Sequence, residues 1–225
     1  MSEIIIAYNT ADYVHRWERL SKATQQHGAY NYSKEIVNNI IPRVKTERPW
    51  VTINQPFYAK DHAIVFVHGN LHPDAYDWFR AYRDTVMVAG MPETAEVLKS
   101  RGHKQVIYLP LSIDVGYVQK FKRKKTRAVA YAGRPEKKKL GELPEGIDLL
   151  EGLERDALLA EMAKYKQVYA VGRTAIEARA LGCEILPFDH RFPDPSVWRV
   201  VDNCEAAEIL QRELDKIDGK TAPDK

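Results

Sequence analysis

Residues 168–189 read VYAVGRTAIEARALGCEILPFD. The apolar run Val168-Tyr169-Ala170-Val171 has strand character, and Gly172-Arg173-Thr174 makes a tight turn. An alanine- and leucine-rich helical segment follows through Leu181. Gly182 stops it, and a second apolar run, 185–188, ends at Asp189. Strand, turn, helix, glycine stop and strand make one βαβ unit. A parallel crossover delivers the turn after its first strand to the carboxyl edge of the sheet, where open α/β folds bind ligands. The helix start offers unpaired N–H groups and partial positive charge, which suits a phosphate. Glu177 lies one turn in, four residues after Arg173 and on the same side of the helix. As a surface ion pair the two would contribute roughly 0.3–0.5 kcal/mol. As part of a ligand site they would do more.

Working outward, the same alternation covers most of the chain. Strands are expected at 3–8, 50–53, 63–67, 85–89 and 105–109, then at 128–132 and 147–150. Ser33 is expected to cap a helix whose apolar face is Ile36, Val37, Ile40 and Ile41, before Pro42. Further helices are expected at 74–82, 92–100 and 153–165, and after Ala206, with 219–225 as a disordered tail. The spacings suit parallel sheets. They predict an α/β chain of two Rossmann-like, doubly wound parallel-sheet domains, 1–115 and 116–218, facing a cleft.

The 225 residues are 44% apolar and 29% charged, enough for a real core. No apolar run is long enough to span a bilayer, so no transmembrane segment is expected. The start, MSEIIIAYNT, has no signal-peptide pattern. Cys183 and Cys204 stand in no metal-ligand spacing, which predicts reduced thiols and a cytoplasmic location. Net charge is +3, yet residues 120–127 alone hold six cations, Lys120, Lys122, Arg123, Lys124, Lys125 and Arg127, with no acid. Without them the chain carries −3. The run reads either as a solvated linker or as a peripheral contact with a polyanion such as nucleic acid or an anionic membrane face.

Four segments in register resemble the GT-B glycosyltransferases, in particular the retaining group that uses nucleotide sugars. They are Pro110-Leu111-Ser112-Ile113-Asp114 at the linker; Ala132-Gly133-Arg134 with Lys137, Lys138 and Lys139; Gly152-Leu153-Glu154; and Glu177-Ala178-Arg179-Ala180-Leu181-Gly182 before an apolar strand. The likeness covers the second half well and the first half loosely, with a shortened N-terminal domain. It implies that 1–115 serves the acceptor and 116–218 binds a nucleoside diphosphate sugar such as a UDP-sugar. It implies that Glu177 holds the ribose hydroxyls and that Arg134 with Lys138 or Lys139 holds the diphosphate. Gly133 and Gly172 would let the backbone approach the phosphates, beside Arg173 and Thr174 at the helix start. His68, at the end of the third strand, would line the sugar and acceptor pocket. Arg134 and His68 are the candidate catalytic residues.

The pattern is incomplete. Where the family carries a second glutamate, eight positions before Glu177, stands Tyr169, and Asn9-Thr10-Ala11 replaces a glycine-rich loop. No Asp-x-Asp motif ends a strand, and Asp194 in FPDP reads as a turn residue. The expected reaction is therefore metal-independent and needs no cofactor. The acceptor is not legible: a polyanion such as DNA or a cell-wall polymer would suit the basic run. The aromatic residues Tyr76, Trp78, Phe79 and Tyr82 fit a stacking surface or a core. Two other functions compete: a non-catalytic α/β protein binding nucleotide or nucleic acid, and a sugar-nucleotide epimerase.

Overall fold

The computed structural model describes residues 5–7, 28–48, 50–53, 60–67, 83–133, 143–187 and 193–220. Five short apolar runs pair as a first sheet: β1 (Ile5–Ala7), β2 (Trp50–Ile53), β3 (Ala63–Val67), β4 (Val86–Ala89) and β5 (Val106–Tyr108). Every pairing is parallel. All five residues of β3 are buried. That is why Ala-Ile-Val-Phe-Val does not alternate: a central parallel strand is covered on both faces and needs apolar residues throughout. Helix α1 (Gly28–Glu35) precedes β2 and helix α2 (Pro92–Ser100) follows β4. Ala95 and Leu98 of α2 join Ala63, Val65, Val67, Met87 and Ala89 in one buried cluster. Fully burying a leucine such as Leu98 contributes about 1.5–3 kcal/mol.

Ser33 is not a cap. It lies within α1 and is fully buried. Tyr32 beside it is buried too, so tertiary packing overrides the loop propensity of the segment. Beyond Glu35 the coil changes gauge, with a π turn over Ile36–Ile40 and a 3₁₀ turn over Ile41–Arg43. Pro42 causes this, because it has no N–H to continue the α-helical ladder. The Ile41 amide reaches back to the Ile36 carbonyl, and the Arg43 guanidinium donates to the carbonyl of Asn39.

The second sheet holds β6 (Arg127–Ala132), β7 (Asp148–Leu150), β8 (Tyr165–Tyr169) and β9 (Glu184–Leu186), again all parallel. Helices α3 (Val115–Gln119), α4 (Arg155–Met162) and α5 (Arg173–Ala180) connect or flank these strands, and α6 (Asn203–Ile217) follows them. The α4 helix ends three residues before its expected limit, and β8 begins at Tyr165 instead of Val168. Tyr165 is buried, Lys166 exposed and Gln167 half-buried. This strand alternation is short and its polar members read as helix. The Tyr165 hydroxyl donates to Asp148 at 2.8 Å and accepts from Arg127 at 2.7 Å, tying together the starts of three strands.

The two sheets differ in order. The first runs β1-β2-β3-β4-β5, in chain sequence and without reversal. Its described strands are therefore not doubly wound, which corrects the expectation for that half. A chain that always steps to the same side with right-handed crossovers leaves its connections on one face. The second runs β7-β6-β8-β9 and reverses at β6. Contacts divide the chain into two compact units, Met1–Gln25, Ala29–Pro110 and Cys204–Lys225 in one, and Gln26–Gly28 with Leu111–Asn203 in the other. The division falls after Pro110, and α6 goes with the first unit from Cys204 onward, whereas the sequence reading counted it with the second half. Ala206, Ala207, Leu210 and Leu214 are its buried stripe. Gln211 exchanges two hydrogen bonds with the backbone of Lys45, and Asp218 pairs with the buried Arg48 at 2.8 Å.

Gly182 ends α5 as expected. Its φ is +80°, its amide reaches the carbonyl of Arg179, and that of Cys183 reaches the carbonyl of Ala178, a Schellman ending. Among the described residues a Cβ there would meet only Lys122 Cε, at 3.8 Å, an ordinary contact. The expected cost of Gly182→Ala is therefore backbone strain alone, about 1–2 kcal/mol. Chemical denaturation checks it, and an unchanged midpoint would mean that the turn relaxes.

Cys183 is a buried thiol, pushed up in pKa by burial, and Cys204 is an exposed one. Among the described residues no helix is long and apolar enough to cross a membrane.

Candidate functional site

Strand order decides where a crevice opens. From β6 the chain steps to β7 on one side, then crosses back through α4 to β8 on the other. Loops leaving the carboxyl ends of β6 and β8 therefore diverge, and such a reversal is where open α/β sheets take ligands. Gly133 follows β6 and Gly172 follows β8. Two of the expected site residues thus stand at the ends of adjacent, hydrogen-bonded strands.

The two glycines are required for different reasons. A Cβ on Gly133 would lie 2.6 Å from the hydroxyl oxygen of Tyr131, a buried side chain two residues back. Gly133 makes room for that phenol. Gly172 has φ +63° and ψ −138°, a combination close to the region open essentially to glycine alone. Among the described residues a Cβ on Gly172 would meet nothing within 4 Å, so its backbone faces open space at the start of α5 with respect to them. Among the described residues no side chain caps that helix; the Gly172 carbonyl accepts from Ala175 and Ile176 at 3.0 and 3.2 Å. Thr174, in the same turn, is half-buried.

Glu177 anchors what surrounds this turn. Its Oε1 accepts from Arg173 Nε at 3.0 Å and pairs with Arg155 Nη2 at 3.1 Å. The side chains of Arg173 and Glu177 are each 6% exposed, and that of Arg155 is 29% exposed. The pair is buried, which overturns the reading of it as a surface pair. The reason is packing: α3 and α4 both lie against α5. Both arginines occupy the first position of their helices, Arg155 in α4 and Arg173 in α5. A cation there opposes the helix dipole. One buried carboxylate compensates both.

The network extends outward from Arg155. Its guanidinium lies over the Tyr117 ring, 5.2 Å from the centroid. The Tyr117 hydroxyl donates to Asp156, and this bond, followed by burial, raises the phenol above its ordinary pKa. Asp114 accepts from the Tyr117 amide at 2.7 Å, so it caps α3. Asp202 adds a bond to the Val115 amide, and Ile113 pairs in parallel with Asp202. The Pro-x-x-x-Asp segment is thus tied down locally. Asp194 caps a 3₁₀ turn by accepting from Ser196, as its turn reading implied.

Of the expected site residues, Gly133, Gly172, Arg173, Thr174 and Glu177 belong to the second unit and border the reversal. His68, Arg134, Lys138 and Lys139 lie outside the described residues, as do Tyr76, Trp78, Phe79 and Tyr82 and the tail 221–225. Tyr169 is the half-buried last residue of β8. Arg155, Tyr117 and Asp156 were missed. Arg155 did carry a signal: an arginine opening a helix just after Gly152-Leu153-Glu154 calls for a nearby carboxylate. Comparison with protein-family models, with curated proteins and with solved structures finds no match.

Proposed function

We propose that the second unit binds a nucleoside diphosphate sugar at the β6/β8 reversal and that the protein is a metal-independent glycosyltransferase of GT-B type. One observation carries the reading: the only reversal of strand order among the described residues coincides with Gly133 and Gly172. The diphosphate would meet the open backbone at Gly172, the uncapped start of α5 and the Thr174 hydroxyl. Glu177 would accept from the ribose hydroxyls. A carboxylate has about four acceptor sites, so two arginine donors do not exhaust it. Arg155, the more exposed partner, would give way to admit the ribose, while Arg173 stays to hold Glu177 in its rotamer. Fixed cations near the departing diphosphate would stabilise its developing charge more than the ground state.

The test is a panel of nucleoside diphosphates and their sugars, read by thermal stabilisation and by release of the free diphosphate. A donor present at 100 times its dissociation constant should add about 2.7 kcal/mol of stability. Stabilisation without turnover, across a panel of acceptors, would leave a nucleotide-binding module. No stabilisation by any member would end the reading.

A further inference from the structure

The basic run lies away from the proposed donor site, at the opposite edge of the second sheet. Residues 122–126 carry no regular structure and lead directly into the first residue of β6. They are held by the amino ends of neighbouring elements. The amides of Thr126 and Arg127 both donate to the carbonyl of Lys164, the residue before β8. Lys125 Nζ stands 3.1 Å from Cys183 Sγ, and the stem of Lys122 passes the Gly182 turn. The loop thus wraps the carboxyl end of α5, whose partial negative charge favours cations there. β6 has six residues and so rises about 20 Å. That length separates the basic loop from Gly133.

Part of this loop's charge has an internal partner: Lys120 Nζ lies over the Tyr117 ring, 5.6 Å from its centroid, and Arg123 Nε donates to the Phe121 carbonyl at 3.4 Å. Arg127 reaches Asp148, at 3.6 Å. Among the described residues Lys120, Lys122, Arg123 and Lys124 make no ion pair, and all four are exposed. We infer that these four cations form a docking surface for the sugar–phosphate backbone of a nucleic acid. A DNA duplex presents one phosphate per about 3.4 Å of helix axis on each strand. Lys120 sits in the turn that ends α3, and Lys122, Arg123 and Lys124 follow without regular structure, so their long side chains can reach separate phosphates. A lipid surface fits less well. Amphipathic surface segments insert apolar side chains beside their cations, and a purely polybasic one gains only a small attraction per cation near an anionic leaflet. Here Phe121 is half-buried and packs edge-on to Tyr117, with centroids 5.6 Å apart. None of the exposed large hydrophobic residues, Val97, Tyr108, Leu149 and Val200, belongs to the loop. The cations sit on a loop and not on a helix or two-stranded ribbon of the kind that enters the major groove, so the contact goes to phosphates and is blind to sequence.

Fluorescence anisotropy of the full chain with a labelled DNA duplex, across a salt series, tests this. Four phosphate contacts give a slope of about −3.6 in log affinity against log salt, or roughly a 150-fold loss from 50 to 200 mM. The variant Lys122→Ala/Arg123→Ala/Lys124→Ala should flatten the slope by about 2.7. Lys122→Arg/Lys124→Arg should keep it. Circular dichroism and melting confirm that the alanine variant is folded. An equal slope in the alanine variant and the parent overturns the inference. So does a strong preference between duplexes of unrelated sequence. Binding to vesicles rich in anionic lipid without binding to the duplex overturns it in favour of a membrane surface.

Discussion

Glu177→Ala is expected to destabilise the second unit by about 3 kcal/mol, the lower end of the range for breaking a buried ion pair. The alanine removes the carboxylate that both guanidiniums contact, one of them at 6% exposure. The lower end applies because Arg155 reaches solvent. Both arginines also lose the group that offsets their unfavourable helix-terminal positions. Against total stabilities of about 5–15 kcal/mol this is a large loss. An exposed pair at the same spacing would lose only about 0.3–0.5 kcal/mol. Chemical denaturation separates the two outcomes, and a loss near half a kilocalorie would show that the network is solvated. The double variant Arg155→Ala/Glu177→Ala should recover part of the loss, since one of the two neighbouring cations is gone. Strict additivity in that cycle would mean that the two groups are not coupled. Ligand binding by Glu177→Ala can be compared only at a temperature where the variant remains folded.

On the proposed function, Arg134→Ala lowers the rate of nucleoside diphosphate release by on the order of 10²–10³, the usual effect of removing one preorganised donor to developing charge. Arg134 directly follows Gly133, which leaves β6 at the strand reversal. Ground-state donor affinity should change far less, because the bound diphosphate gains its extra charge only as the glycosidic bond breaks. Steady-state kinetics with and without chelator make the measurement. A rise in KM with kcat unchanged would make Arg134 a uniform binding residue. Activity abolished by chelator would overturn metal independence. This prediction and the preceding one are independent: the first concerns a network seen in the structure, the second the reaction.

Much of the architecture was legible because local signals agreed. β2, β3 and α2 begin and end where the residue pattern places them, since β-branched runs, a proline in a first helical turn and flanking polar residues all point the same way. The turn at Gly172, the helix after it and its stop at Gly182 were legible for the same reason. Tertiary packing decided the rest. It drew Tyr32 and Ser33 into a helix interior, gave α6 from Cys204 onward to the first unit, and set the order of both sheets. Local pattern carries no information on which side a strand is added. Above all, the sequence placed Arg173 and Glu177 on one side of one helix, but spacing cannot tell a surface pair from a buried one. Only the packing of α3 and α4 against α5 removed water from that carboxylate and brought Arg155 to it from another helix, and burial is what makes the loss of one partner costly.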